Sequence, residues 1–451
     1  MSKYIVEHKK TNPGIFAWIS VLLIILNVFH THVITVLMGA NHFSLNISIL
    51  TLSVFFLMVY MYFANKLNIS VISFHFHDYM MLAALLIILA TSASRLAANS
   101  SYIIRYLWLI ILVFFMKNDD KLVKIVFISL TIAMILHLVA TYWFHFDKDF
   151  YLKHILPTFA AYQRNHLYVQ AIKNNYSVGL ANNFSLNGMY MAIVSIISYS
   201  LLYYKKKKVL TFTFFLASIV ALFMTGKRGV LIFTIVAFII TYMMCNKDNV
   251  LYKLGIVIPV LLAIVVALYI MSFYIDSINA TISRFFTSVP DISTGRFNLY
   301  NKAWEMFLQN PILGIGWSEY ASRVDYMYFG DNEYRDVHNV YLQLLTETGI
   351  IGFLVFMILF VYAFVKTFTL VKIFLKRNDV LPNGTWVLLV FSFCYQIFFF
   401  GYCMTGNPLY DLSTMYVYFF SVGFASYIDT KYSDKINNTE NTQFVSKYIR
   451  R

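Results

Sequence analysis

The chain has 451 residues, 60% of them hydrophobic and 12% charged, with a mean hydropathy of +0.67. That balance excludes a water-soluble globular domain, whose core could not hide so much apolar surface. In a soluble protein the net charge of +14 would raise nucleic acid as a partner; here it reads as the charge of cytoplasmic loops plus an anionic group bound on the outer face, with no nucleic acid.

Twelve apolar stretches are long enough to cross a bilayer, which takes about 20 helical residues. They lie at roughly 15–38, 46–64, 78–94, 102–116, 125–144, 186–204, 209–225, 229–246, 254–273, 350–371, 385–402 and 409–428. The first is too long for a cleavable signal peptide and lacks a small-residue cleavage site, so it reads as a signal anchor. The fourth carries Arg105, which must snorkel or find a partner in the bundle; its role stays open between structure and function. Cys245, Cys394 and Cys403 have no metal-ligand spacing and read as small hydrophobes. The expected fold is all-α: a polytopic membrane domain over 1–436 with about 12 transmembrane helices and a large extracytoplasmic helical loop. An amide-rich, flexible cytoplasmic tail over 437–451 follows.

Lysine and arginine set the expected orientation. With the N-terminus inside, the inner loops hold Lys117, Lys121, Lys124, Lys205 to Lys208, Lys247, Lys253, Lys366, Lys372, Lys376 and Arg377. The short outer connections are nearly bare apart from Arg95 and the pair Lys227 and Arg228. Both termini are then cytoplasmic. Two long segments fall outside, 145–185 and 272–349, and both carry cations despite the orientation rule. Loops of that length in a compact protein usually have a function. ATP and nucleotide-sugars are scarce there, so the energy for any reaction must come with the substrate.

Between the seventh and eighth spans the chain reads Thr225-Gly226-Lys227-Arg228-Gly229. The two cations are either a snorkelling turn anchor or an anion site at the mouth of the bundle. Arginine suits phosphate because its planar fork donates two charge-assisted hydrogen bonds. In the segment 272–349, Phe297, Tyr300, Trp304, Phe307 and Leu308 recur at helical spacing, and Asn310-Pro311 ends that helix. Ser293 or Thr294 can cap its start. The helix is expected to pack over the bundle or to lie at the outer interface. Its first arginine, Arg296, is expected on the same side of the membrane as Arg228. Together the two could grip a diphosphate and stabilise the negative charge that grows as it leaves. The Gly314 and Gly316 pair permits a tight turn or close backbone approach. The stretch 320–336 is polar and acidic, without the spacing of a calcium loop. A second helix then begins near Val337 and leads into the span at Ile350, with Asn339, Gln343 and Glu347 forming a polar stripe. His338 lies at its amino end, where the helix dipole disfavours imidazolium. It is a candidate general base, or a hydrogen-bonded structural histidine.

These blocks resemble the bacterial O-antigen ligase and polysaccharide polymerase superfamily. The turn at Thr225 to Gly229 resembles that family's Ser-Arg-Gly turn, with Lys227 in the serine's place. Gly295, Arg296, Phe297, Trp304, Asn310, Pro311, Gly314 and Gly316 resemble a second block. His338, Asn339, Leu342, Glu347, Gly349 and Gly352 resemble a third. In weaker form, Gly179-Leu180-Ala181-Asn182-Asn183 resembles the family's approach to a membrane span. The resemblance covers about 175–365. It implies a donor glycan carried on undecaprenyl diphosphate in a bacterial cytoplasmic membrane, with the site on the outer face. Arg228 and Arg296 would bind the diphosphate, with Lys227 as a third cation, and all three catalytic candidates (His338, Arg296, Arg228) would act in one inverting transfer. His338 would assist the acceptor hydroxyl. Arg335, Arg323, Asn339 and Glu347 are candidate substrate contacts. No cofactor and no metal is implied.

Within that class the sequence reading favours polymerisation of lipid-linked repeat units into capsular, exopolysaccharide or O-antigen chains. Its basis is that the outer segments are not expanded to grip a large, distinct acceptor. The alternatives are ligase-type transfer of a finished glycan to a lipid or protein, and a lipid-glycan flippase or transporter. The last would show internal repeats and polar helices meeting at midplane, neither of which is evident. Implied partners are the lipid-linked donor and acceptor, the bilayer, a chain-length regulator and a separate flippase.

Overall fold

A computed structural model describes residues 14–29, 42–64, 74–92, 96–159, 161–173, 175–204, 208–286, 296–328, 336–376 and 381–432. Among these residues the regular structure is helical. In chain order the helices are α1 (Gly14–Phe29), α2 (His42–Phe63), α3 (Phe76–Thr91), α4 (Leu96–Met116), α5 (Asp120–Phe146), α6 (Ala161–Tyr168), α7 (Phe184–Leu201) and α8 (Lys208–Met224). Then come α9 (Arg228–Cys245), α10 (Val250–Ser272), α11 (Asp276–Phe286), α12 (Arg296–Gln309), α13 (Tyr320–Tyr328), α14 (Val340–Lys376), α15 (Asn383–Tyr402) and α16 (Leu412–Lys431). Acidic and amide side chains start several of them. Asp119 accepts from the amides of Lys121 and Leu122, Asn183 from Leu186, and Asn249 from Tyr252.

The chain is a multi-pass, all-α membrane protein. Among the described residues, seven helices are long and apolar enough to cross a bilayer: α4, α5, α7, α9, α10, α14 and α15. The expected count of twelve is not reached by that criterion. α1, α3 and α8 are apolar but have 16 or 17 residues, short of a full crossing, as is the apolar part of α2. The expected first span runs past Phe29 into residues outside the described ones.

The centre of the bundle is α7, α15 and α16, each buried along most of its length. Small hydroxyl residues let neighbours approach. Ser20 of α1 donates to the Ser53 carbonyl at 2.8 Å, and the Ser198 and Ser218 hydroxyls pair at 2.9 Å across α7 and α8. At the bundle end that joins α4 to α5, polar groups pair in a buried network. Lys117 forms an ion pair with Asp78, Tyr60 donates to Asp119 at 2.7 Å, and His77 contacts Ser426 at 3.0 Å. Arg105 is buried in α4, its carbonyl accepting from the Tyr416 hydroxyl at 2.7 Å. At the rim, α10 buries only Lys253 and Leu268.

The long segment before α14 folds as a helical cover. Leu299, Ala303 and Met306 of α12 pack with Ile315, Tyr320, Val324 and Val337. α12 stops at Gln309, before the expected Asn310-Pro311 break, while its capping candidates Ser293 and Thr294 lie outside the described residues. α13 occupies part of the stretch read as merely polar and acidic. The other long segment also folds on itself: Phe144, Tyr151, Phe159, Leu167, Ala171 and Val178 make a separate apolar cluster.

α14 is broken at Gly349, whose φ of 63° and ψ of −171° depart from the helix. A break inside an apolar helix exposes backbone groups that need partners. The turn 311–316 supplies them. The amides of Ile315 and Gly316 donate to the carbonyls of Thr346 and Glu347 at 3.0 and 2.9 Å, and the Ile350 amide donates to Pro311 at 2.9 Å. The predicted helix start near Val337 moves to Val340, because Asn339 caps it by accepting from the Leu342 amide at 3.1 Å.

Candidate active site

A cavity of about 820 Å³ opens at the bundle end opposite the Lys117 network. Its lining comes from four segments far apart in sequence: His166, Gln170 and Asn182 to Leu186 in the first, Lys227 in the second, Asp336 and His338 in the third, and Asn407, Pro408, Tyr410 and Asp411 in the fourth. Helices that alternate in direction bring every second connection to the same end. The cavity's position at that end follows from the topology alone.

The described lining includes one cation, Lys227. Lys227 precedes α9, and its ammonium stands 5.7 Å from the centre of the Phe184 ring. Arg228 opens α9 and Arg296 opens α12. Both are partly buried. A cation at a helix N-terminus opposes the helix dipole, so each position favours an anion that can bridge arginine and first-turn amides. Arg296 and Lys227 both lie close enough to act on His338. Neither arginine is among the described lining residues of the cavity, whereas Lys227 and His338 are.

The lining also carries Asp336, Asn407, Tyr410 and Asp411. Asp336 and His338 reach the cavity while Val337 between them is buried in the cover cluster. His338 has a φ of 58°, a left-handed conformation uncommon outside glycine. Its carbonyl accepts from the Tyr300 hydroxyl of α12 at 3.4 Å, which ties the cover helix to the loop. Burial, then the charges of Lys227 and Arg296, push the imidazole down to about 4. It is therefore neutral at physiological pH and can accept a hydrogen bond. Burial pushes the Asp336 carboxyl up, against hydrogen bonding that favours its charged form. Among the described residues, no group of three His, Cys, Asp or Glu side chains could hold a metal ion.

The remaining candidates sit elsewhere. Glu347 was expected near substrate but is fully buried, accepting from the amides of Ser318 at 2.9 Å and Tyr320 at 3.2 Å. Its polar neighbour on the stripe, Gln343, donates to it at 3.2 Å. Arg323 donates to the Ile315 carbonyl at 3.0 Å and stands 3.5 Å from Glu319. Asn339 is a helix cap. Arg335 and Gly295 lie outside the described residues. Tertiary packing adds His166, Gln170, Asn407 and Asp411, to which the sequence reading assigned no role. The i, i+4 spacing of His166 and Gln170 on α6 and its continuation was the available signal. For Asp411 it was an aspartate just before an apolar run, and Asp411 does cap α16 through the Thr414 amide at 3.0 Å.

The O-antigen ligase family matches residues 213–357, about a third of the chain. Over those residues the chain is similar to that family, which supports its assignment to the O-antigen ligase and polymerase superfamily. The matched region runs from α8 into α14 and contains Lys227, Arg228, Arg296 and His338. His166, Asn182, Asn407 and Asp411 complete the cavity from outside it. No curated protein matches the chain. The match is consistent with an enzyme that acts on a lipid-linked glycan.

Proposed function

We propose that the protein transfers a glycan from undecaprenyl diphosphate to a separate lipid or protein acceptor, in the manner of a ligase. One observation carries the reading: within the matched region, Lys227 and His338 share a cavity that the charge of Arg296 also reaches. The family match favours ligase-type transfer over the polymerisation expected from sequence. That expectation rested on modest outer segments, yet 145–185 folds into a helical cluster of its own.

In this reading the acceptor hydroxyl oxygen attacks the anomeric carbon. The bond from that carbon to the bridging phosphate oxygen breaks, and its electron pair stays on the lipid diphosphate. Lys227, Arg228 and Arg296 offset the growing charge. His338 accepts the hydroxyl hydrogen bond and takes the proton. A single displacement inverts the anomeric centre. Segment 272–349 is the catalytic part of the membrane domain. The site faces outward from the bacterial cytoplasmic membrane, with both termini inside. The lysine-rich connections at the opposite bundle end support that orientation.

The test uses the protein in bilayers with a lipid-diphosphate-linked glycan and a separate acceptor. Ligase-type transfer yields acceptor bearing one glycan block and free lipid diphosphate. A ladder of lengthening lipid-linked chains would instead make it a polymerase. Unchanged turnover by Arg296→Ala would remove the assigned site.

A further inference from the structure

α12 has three faces rather than two. At about 100° per residue, Leu299, Ala303 and Met306 fall on one arc, and these are its buried residues. Asn298, Glu305 and Gln309 fall on a second, exposed and polar, beside the Lys302–Glu305 ion pair at 3.0 Å. Phe297, Trp304 and Leu308 fall on a third, about 100° round from the polar arc. This arc is apolar yet 66, 48 and 59% exposed. A helix that merely capped a soluble cavity would present polar residues over its whole outer surface. Segregating the exposed surface into a wet arc and an aromatic arc suits a boundary between water and lipid.

The apolar arc also continues into a membrane-facing surface. After α12 the chain exposes Ile312 and Leu313, in the turn whose Pro311 carbonyl accepts from the Ile350 amide. Ile350, Ile351 and Leu354, on the apolar part of α14, are exposed beside that junction. α14 is a candidate span, so those side chains face acyl chains.

We infer that α12 lies at the membrane surface with Phe297, Trp304 and Leu308 seated in lipid. The bilayer then holds the cover helix and sets the height of Arg296, the residue before Phe297. The seating does not depend on the transfer reaction, so its test is separable from activity.

The protein is reconstituted in nanodiscs of phosphatidylethanolamine and phosphatidylglycerol, with nitroxide on cysteines introduced as Trp304→Cys, Leu308→Cys or Glu305→Cys. The three native cysteines are buried, and labelled wild type is the blank. Positions 304 and 308 should respond at least threefold more to oxygen than to a water-soluble nickel chelate. Position 305 should show the reverse. Equal nickel access at 304, 305 and 308 would overturn the inference. So would shielding of 304 and 308 from both reagents, the signature of a protein partner or second copy. If Trp304→Cys does not fold, brominated acyl chains should quench wild type more than Trp304→Phe; equal quenching counts against the proposal.

Discussion

Gly314 and Glu347 touch backbone to backbone: a β-carbon on Gly314 would stand 2.4 Å from the Glu347 carbonyl carbon. Gly314 also has a φ of 72°. The contact lets the turn reach the free carbonyls of the broken helix. Gly314→Ala should therefore lower stability by about 2 kcal/mol or more, combining the backbone cost with the clash. Gly255→Ala is the control, since nothing lies within 4 Å of a β-carbon there. It should be neutral or stabilise by about 0.5–1 kcal/mol. Thermal melts of both variants in one lipid system decide the point, and equal shifts would mean that the turn is not fastened as described.

Glu347→Gln should destabilise the cover without removing a substrate contact. Its two carboxylate oxygens serve separate backbone amides. An amide side chain turns one acceptor into a donor facing an N–H, a loss of about 1–3 kcal/mol. The melting temperature should fall, with KM for the acceptor little changed. A selective rise in acceptor KM with unchanged stability would return Glu347 to the substrate.

The acid limb of kcat/KM should fall near pH 4, not near the ordinary histidine value. His338 sits at about 4, so it stays neutral down to pH 5 and protonates below. Lys227 is one cause, and a cation lowers an imidazole pKa. Lys227→Gln should move the limb to higher pH. Asp336→Asn separates the contribution of the neighbouring carboxyl. A limb unmoved by Lys227→Gln would detach Lys227 from His338.

Lys227→Ala should weaken donor binding by roughly tenfold or more, on the order of 1.5–3 kcal/mol for a charged hydrogen-bond partner. Lys227→Ser, which restores the residue of the resembled motif, should not recover it. Donor titration with a lipid diphosphate measures this. Wild-type affinity in Lys227→Ser would mean the lysine points away from the phosphates.

Much of this was readable in advance because hydropathy reports the burial of whole helices. The expected spans overlap helices throughout, and Lys227 and His338 meet because alternation places their connections at one end. Glu347 was less legible. Its spacing with Asn339 and Gln343 identifies a polar stripe, but its partners are backbone amides of Ser318 and Tyr320, which leave no trace in composition. The aromatic stripe of α12 was visible, but the packed face was not. Leu299, Ala303 and Met306 include only one large branched side chain, and small or flexible residues pack well without standing out. Asn407 and Asp411 come from a connection of about ten residues outside the recognised motifs, so only the fold could bring them to the cavity.

α10 has a consequence for how the protein is handled. It buries two of its residues and carries Pro259 in its interior. Few side chains of the bundle cover it, so most of its apolar surface is left to the surrounding lipid. Extraction into short-chain detergent should loosen this helix first, while α7, α15 and α16 stay packed. Activity lost on solubilisation would then return when lipid is restored, with no refolding of the centre.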